Sequence, residues 1–184
     1  MNKSSLRKEF LEKRMAFSKT EEFYLASEKI CANIESFLLK YNGKLVGGYF
    51  PVKGEVDLTY LLNKTKTIAF PRLIFIKNNS EIEYAKASSS LELVSSKLNF
   101  KEPARTAPLC FPDIILVPGI CYDIQHNRLG YGKGHFDKFI AKAKKSGYQP
   151  IKVGVCFDFQ LQEKIPADQH DQAMDIIITE SRII

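Results

Sequence analysis

The sequence predicts a single α/β domain around a mostly parallel sheet, and three observations carry that expectation. First, Asp113-Ile114-Ile115-Leu116-Val117 is apolar after its first residue and is ended by Pro118-Gly119; a strand buried on both faces in this way belongs to a parallel sheet. Second, strand-like runs alternate with segments of helical periodicity, the order that builds layered α/β structures. Third, 184 residues with 45% hydrophobic side chains, 13 Phe and 8 Tyr suffice for one sizeable core without disulfides or a structural metal. No internal repeat and no Pro/Gly-rich linker divides residues 1–184.

The elements follow in order. Lys3 to Phe17 places Leu6, Phe10, Leu11 and Met15 at helical spacing, with Lys and Arg on the other side. Ser18-Lys19-Thr20-Glu21 has the form of a capping box opening a second helix. That helix uses Phe23, Ile30, Ile34, Phe37 and Leu38 and stops near Asn42-Gly43, where a left-handed residue is easily supplied. Leu45 to Phe50 reads as a buried strand. Asp57 can cap a short helix through Leu62, and Ile68-Ala69-Phe70 forms a brief strand before Pro71-Arg72. Leu73 to Ala85 reads as a hairpin turning at Asn78-Asn79, since asparagine tolerates a positive φ. Lys86 to Pro108, with Ser88-Ser89-Ser90, is the least regular stretch and reads as a surface excursion. After the buried strand come a glycine loop, a helix from Phe136 to Ser146 ended by Gly147, and strands at Ile151 to Cys156 and Met174 to Thr179.

Composition narrows the function classes. Cys31, Cys110, Cys121 and Cys156 are scattered singly, so neither a disulfide framework nor a zinc ribbon is expected, and the thiols read as those of a reduced, cytoplasmic protein. His126, His135 and His170 have no zinc-ligand spacing. The amino terminus runs into a charged amphipathic stretch rather than an apolar signal core, and no apolar run is long enough to cross a bilayer, so no membrane association is expected. The formal charge of +6 favours an anionic partner. Its bases are dispersed among acids rather than gathered in a patch, which points to small anions and away from nucleic acid. The sequence does not set the oligomeric state; a monomer is the expectation.

The most informative segment is Arg128-Leu129-Gly130-Tyr131-Gly132-Lys133-Gly134-His135-Phe136-Asp137. Glycines at alternate positions remove the Cβ atoms that would hold a ligand off the backbone, so N–H groups can converge on phosphate oxygens. The loop enters a helix whose first-turn N–H groups and dipole favour an anion. Lys133 and Arg128 add positive charge, and Asp137 could hold the magnesium ion that accompanies a nucleotide. The spacing is neither a Walker A loop nor the dinucleotide fingerprint, and a flexible turn is the plain alternative. Tyr131 could pack, or stack on adenine or a pterin.

Together with Val117-Pro118-Gly119 and Tyr122-Asp123, this segment resembles the signature of the 5-formyltetrahydrofolate cyclo-ligase family, also called methenyltetrahydrofolate synthetases. Three further stretches fit in order: Lys3-Ser4-Ser5-Leu6-Arg7, Phe50-Pro51-Val52-Lys53-Gly54-Glu55-Val56-Asp57, and Ile165-Pro166 with His170-Asp171. The resemblance spans essentially the whole chain and is weakest over Lys86 to Pro108. It implies a three-layer α/β/α fold similar to sugar-phosphate isomerases and CoA transferases. It also implies an enzyme that uses ATP and magnesium to convert 5-formyltetrahydrofolate to 5,10-methenyltetrahydrofolate. By the same resemblance Lys3, Ser4, Ser5, Leu6, Arg7 and the loop Arg128, Leu129, Gly130, Tyr131, Gly132, Lys133, Gly134, His135 and Phe136 would contact ATP. Arg7, Phe50, Glu55, Tyr131, Gly132, Lys133, Gly134 and His135 would line the folate pocket, and Asp137 and Asp171 would coordinate magnesium. Family loops commonly carry Tyr-Tyr or Tyr-Phe before the aspartate, where this chain has His135-Phe136.

The implied chemistry suits these residue types. Phosphorylating the formyl oxygen makes it a leaving group, so the neighbouring N10 can close the ring. That reaction needs charge neutralisation from groups such as Lys133 and Arg128, and no serine or cysteine nucleophile. Two other classes remain open from the sequence: an isomerase or CoA-transferase-like enzyme that does not consume ATP, and a basic nucleotide- or nucleic-acid-binding module.

Overall fold

The computed structural model describes residues 2–64, 68–76, 79–87, 93–95 and 101–184. Helix α1 (Lys3–Phe17) is capped by Asn2, whose Oδ1 accepts the Ser5 N–H at 2.9 Å. Its buried face is Leu6, Phe10 and Arg14, while Met15 is exposed, so the bases are not confined to the outer side. The expected capping box does not form. Ser18 Oγ donates to Met15 O and Thr20 Oγ1 to Phe17 O, each at 2.9 Å. Both hydroxyls close the first helix instead, and α2 (Glu21–Leu38) begins with Glu21 and Glu22 against its positive dipole end.

Strand β1 (Val46–Gly47) is shorter than the apolar run suggested. Asp57 Oδ1 accepts the Thr59 N–H at 2.9 Å at the start of α3 (Thr59–Lys64). Strand β2 (Ile68–Ile76) continues through Pro71 rather than stopping before it. The reason is local: the Leu73 N–H faces away from the antiparallel neighbour β3 (Asn79–Ala87), and Pro71, two residues earlier, faces the same side. There β1 has already ended, so the missing donor leaves no ladder bond unmade. Ile76 pairs with Asn79, so Asn79 already belongs to β3, and Asn78 lies outside the described residues.

Strands β4 (Leu93–Ser95) and β5 (Lys101–Pro103) pair with each other. Leu93 and Glu102 are buried, and Glu102 Oε2 accepts the Leu73 N–H at 2.9 Å. This part of the expected excursion is therefore built into the wall of β2, whereas Ser88-Ser89-Ser90 lies outside the described residues. Next come β6 (Ile114–Pro118), β7 (Cys121–Asp123), β8 (Arg128–Leu129), α4 (His135–Lys145), β9 (Ile151–Val155), β10 (Leu161–Gln162) and β11 (Ile176–Ile178).

The main sheet has the order β11-β9-β6-β1-β2-β3, parallel except for β3. Side chains alternate across it. Ile114 and Leu116 of β6 pack with α2 and α3, and Ile115 and Val117 pack with Phe139 and Ile140 of α4. Burying each such side chain contributes roughly 1.5–3 kcal/mol. A small sheet, β10-β7-β8, packs under α1 through Leu6, Phe10, Ile120, Cys121, Leu129 and Ile165. From β1 the chain proceeds through α3 to β2, and from β6 through α4 to β9, so adjacent strands β1 and β6 lead away in opposite directions with their helices on opposite faces. A crevice opens at the carboxyl ends of such strands.

Candidate active site

That crevice holds a cavity of about 650 Å³. One side follows β1: Tyr49, Phe50, Val52, Lys53 and Glu55 line it, backed by Pro71, Leu73 and Ile82 of the hairpin. The other follows β6 and is the glycine loop from Arg128 to Asp137. Lys3 and Arg7 of α1 and Asp168 and Asp171 complete it. Residues that the sequence placed in four separate stretches thus meet around one space. Ser4 and Ser5 do not line it; they are exposed on the first turn of α1. Leu6 packs beneath the loop against Leu129 instead.

Local chemistry explains how the loop is held. Asp123 is fully buried and its carboxylate accepts N–H bonds from Gln125, Asn127 and Ile165 and from the Asn127 amide, at 2.9–3.0 Å. This satisfied carboxylate folds the β7–β8 turn and delivers Arg128. Arg128 is itself buried. Its Nη2 pairs with Asp137 Oδ2 at 2.7 Å, its Nη1 donates to Pro118 O at 3.3 Å, and its Nε has no partner among the described residues. Gly132 and Gly134 take φ of 93° and 65°, which a glycine adopts at no steric cost. Gly134 then opens α4 without a side-chain cap, so the first-turn N–H groups are left for an anion. Lys133 is exposed at the tip.

The carboxylates differ in how they are held. Glu55 is only 4% exposed, not the exposed turn residue a lone glutamate usually is. Its Oε2 accepts the Val52 N–H at 2.9 Å and its Oε1 the Tyr131 hydroxyl at 2.8 Å. Burial pushes its carboxyl above the ordinary glutamate range, and the Arg14 guanidinium, the Val52 N–H and Tyr131 oppose the rise. Asp171 lies below the ordinary aspartate range: burial works against its charge, but Lys3 at 2.5 Å and the Asp168 N–H outweigh it. Lys3 is correspondingly raised, its burial outweighed by Asp168 and Asp171. His135 Nε2 lies 2.8 Å from Ser80 Oγ on the hairpin, and burial followed by the charges of Lys138 and Lys133 lowers its pKa.

Several lining residues went unread in the sequence. Arg72 is tied to Glu83 and Ala104 O at 2.7 Å, and Lys53, Lys101 and Asp168 also face the cavity. Arg14, behind the lining, is 1% exposed. The available signal was its position: Lys3, Arg7 and Arg14 fall on one helical stripe. Among the described residues no three or more His, Cys, Asp or Glu gather to hold a metal ion, and no helix is long and apolar enough to cross a membrane. All four cysteines are free, as the spacing implied, and none lines the cavity.

Strand order and cavity define the class first: an α/β domain with its candidate site where the strand order reverses. The sequence model described as the 5-formyltetrahydrofolate cyclo-ligase family matches residues 1–180. The 5-formyltetrahydrofolate cyclo-ligase of Mycoplasma pneumoniae is 30% identical over 181 residues, covering 98% of this chain and 99% of that one. The mouse cyclo-ligase is 26% identical over 196 residues, covering 97% and 93%. The solution structure of Aquifex aeolicus 5,10-methenyltetrahydrofolate synthetase superposes with a TM-score of 0.84 at 33% identity, over 100% of this chain and 92% of that one. The chain belongs to the 5-formyltetrahydrofolate cyclo-ligase family.

Proposed function

We propose that this protein converts 5-formyltetrahydrofolate to 5,10-methenyltetrahydrofolate at the expense of ATP, within the cavity between β1 and β6. The observation that carries the reading is the convergence of Lys3, Arg7, Phe50, Glu55, Asp171 and the glycine loop on one cavity in a chain of this family. ATP lies with its triphosphate along Gly130 to Gly134 and the amino terminus of α4, where Lys133, Lys3 and Arg7 meet its charge. The reduced folate lies on the β1 side, its pterin N–H donors on the free lone pairs of Glu55 and its rings against Phe50, Pro71, Leu73 and Ile82.

The formyl oxygen attacks the γ-phosphorus as the bond to the β-phosphate oxygen breaks, and ADP departs. The formyl carbon now bears a phosphate leaving group. N10 bonds to that carbon and loses its proton to solvent; the carbon–oxygen bond breaks with its electrons on phosphate, leaving the methenyl cation. The chain's own work is positional and electrostatic: Lys133 and the loop N–H groups neutralise the moving phosphoryl charge, while Glu55 fixes the pterin. Among the described residues the cavity lining contains no serine or cysteine, in keeping with direct transfer.

Asp137 and Asp171 fit a nucleotide-borne magnesium ion. Each is held on one oxygen by a cation, Arg128 or Lys3, and a carboxylate retains further lone pairs. Magnesium on a nucleotide usually takes only one or two carboxylates. Bound there, it would supply charge neutralisation at the phosphate oxygens. The reading extends to one three-layer α/β/α unit over residues 1–184, similar in layering to sugar-phosphate isomerases and CoA transferases. It is supported by helices on both faces of the sheet. We place the enzyme in the cytoplasm as a monomer acting on small molecules, apart from nucleic acid and membranes, and the free thiols support the compartment.

Purified protein with 5-formyltetrahydrofolate, ATP and magnesium should develop the near-ultraviolet absorbance of the methenyl product and release one ADP per product. Folded protein that binds both ligands but forms no product, or that forms it without ADP, would contradict the reading.

A further inference from the structure

The glycine loop and the loop after β1 are joined by a chain of polar contacts that runs through a residue outside both. Arg14 lies in the last turn of α1, almost completely buried, and its guanidinium is used at every corner. Nε donates to Lys53 O at 3.0 Å, in the loop after β1. Nη1 donates to Gly119 O at 2.8 Å, just past β6. Nη2 donates to the Tyr131 hydroxyl in the glycine loop. The Tyr131 hydroxyl in turn donates to Glu55 Oε1 at 2.8 Å, back in the loop after β1. The Tyr131 ring also has two cations near its face: the Arg14 guanidinium and the Lys53 ammonium, each 5.6 Å from its centre.

We infer that Arg14 is a positioning residue that couples the two halves of the site, holding Tyr131 against Glu55 so that ordering either loop orders the other. The argument rests on the function proposed above for those halves. A buried guanidinium with three acceptors on three segments fixes their relative placement in a way that one ammonium cannot, because only the planar fork reaches all three directions. The Tyr131 hydroxyl is the shared atom: it accepts from Arg14 and donates to Glu55, so each contact polarises the other. Glu55 has two lone-pair positions left for a ligand after Val52 and Tyr131 are served, so a pterin can bind without displacing Tyr131. Folate on Glu55 thereby stiffens Tyr131 and its neighbouring glycines, and a triphosphate arriving on Gly130 to Gly134 meets a loop already ordered. The coupling is reciprocal by thermodynamic necessity.

The charged and titratable groups facing Glu55 are Arg14 from α1, Tyr131 and Arg128 from the glycine-loop segment, and Tyr49 and Tyr122 nearby. Arg14 and Arg128 are the two bases in that set, and Arg128 is already paired with Asp137. Arg14 is thus the base that Tyr131 connects to the carboxylate.

The test is the affinity for the imido analogue of ATP, which cannot transfer its phosphoryl group, measured calorimetrically with and without saturating 5-formyltetrahydrofolate. In the wild-type protein folate should tighten the analogue by about tenfold, a usual size for coupling between sites. Tyr131→Phe keeps the ring and removes the shared hydroxyl; the factor, a ratio that cancels any change in the affinity for the analogue alone, should fall below about twofold. Arg14→Lys keeps the charge and removes the fork, and should lower the factor in the same direction. A general loss of structure would weaken each ligand separately and leave the ratio standing. If Arg14→Lys fails to fold, Tyr131→Phe alone decides. A wild-type factor near one, or a Tyr131→Phe protein that keeps the wild-type factor, overturns the inference even if methenyl product is formed. A wild-type protein that binds no folate overturns the proposed function as well.

Discussion

The two loops that meet in the cavity are built on opposite plans. The loop after β1 hides its charge: Glu55 is buried, both its oxygens are engaged, and Arg14 stands behind it. The glycine loop exposes its own, with Lys133 at the tip and backbone N–H groups in place of side-chain donors. A buried carboxylate anchored through both oxygens, with a lone pair left on each, is rigid and selective, which suits recognition of one heterocycle. A glycine loop with a long flexible lysine adapts, which suits a phosphoryl group that moves during the reaction. On the proposed function, the contrast places specificity and transfer on different sides of the sheet's reversal point.

The comparison can be broken most forcefully at Lys133. Lys133→Ala should lower kcat by about a hundredfold to a thousandfold, the scale for removing one preorganised electrostatic contact. Its melting temperature should stay unchanged, because the side chain is exposed. Parallel losses of melting temperature and kcat would show the lysine to be structural. Arg128 makes the counterpoint. It is buried on Asp137, so its removal leaves a partly buried carboxylate unpaired and costs about 3–5 kcal/mol of stability alongside turnover.

Glu55→Gln should raise KM for folate by about tenfold to a hundredfold with a smaller change in kcat, as expected when a charged hydrogen-bond acceptor is lost. An unchanged KM would remove Glu55 from the folate side. The pH dependence sharpens the same point. Because burial lifts the Glu55 pKa, folate affinity should decline as pH falls, with a midpoint above the ordinary glutamate value. Stability runs the other way: the contribution of a neutral, buried Glu55 is complete below the unfolded glutamate pKa and is lost as pH rises through the raised folded value. Titrating folate affinity in the wild type and in Glu55→Gln separates the two, since only the former should show the acid limb.

The smallest effect is expected at Gly132, whose φ of 93° strains any other residue. Gly132→Ala should cost about 1–2 kcal/mol of stability, read from denaturant unfolding, with KM for ATP affected more than KM for folate. Equal effects on both would mean that the loops do not divide the ligands.

How far this division could be read in the sequence differs between the loops. The glycine loop's place on the cavity was legible from alternate glycines leading into a helix, although a flexible turn has the same local look, and β6 was legible because four consecutive apolar residues leave little choice. Glu55 was legible only through the family resemblance; a glutamate beside Lys53-Gly54 has the local look of an exposed turn. Arg14 was hidden, because a base in a helix rich in Lys and Arg reads as solvated, and its acceptors lie 39, 105 and 117 residues away. The same blindness to distance explains β2, where Pro71 reads as a stop until the neighbouring strand is known to end first. It also explains Ser18 and Thr20, whose hydroxyls could cap either helix and chose the earlier one.

The most direct test of the central claim follows the formyl oxygen. Substrate labelled with oxygen-18 in its formyl group should, on turnover with unlabelled ATP, deliver the label to the released inorganic phosphate, one labelled oxygen per phosphate by mass spectrometry. Label found in water, with phosphate unlabelled, would mean that the oxygen was never phosphorylated and would contradict the account.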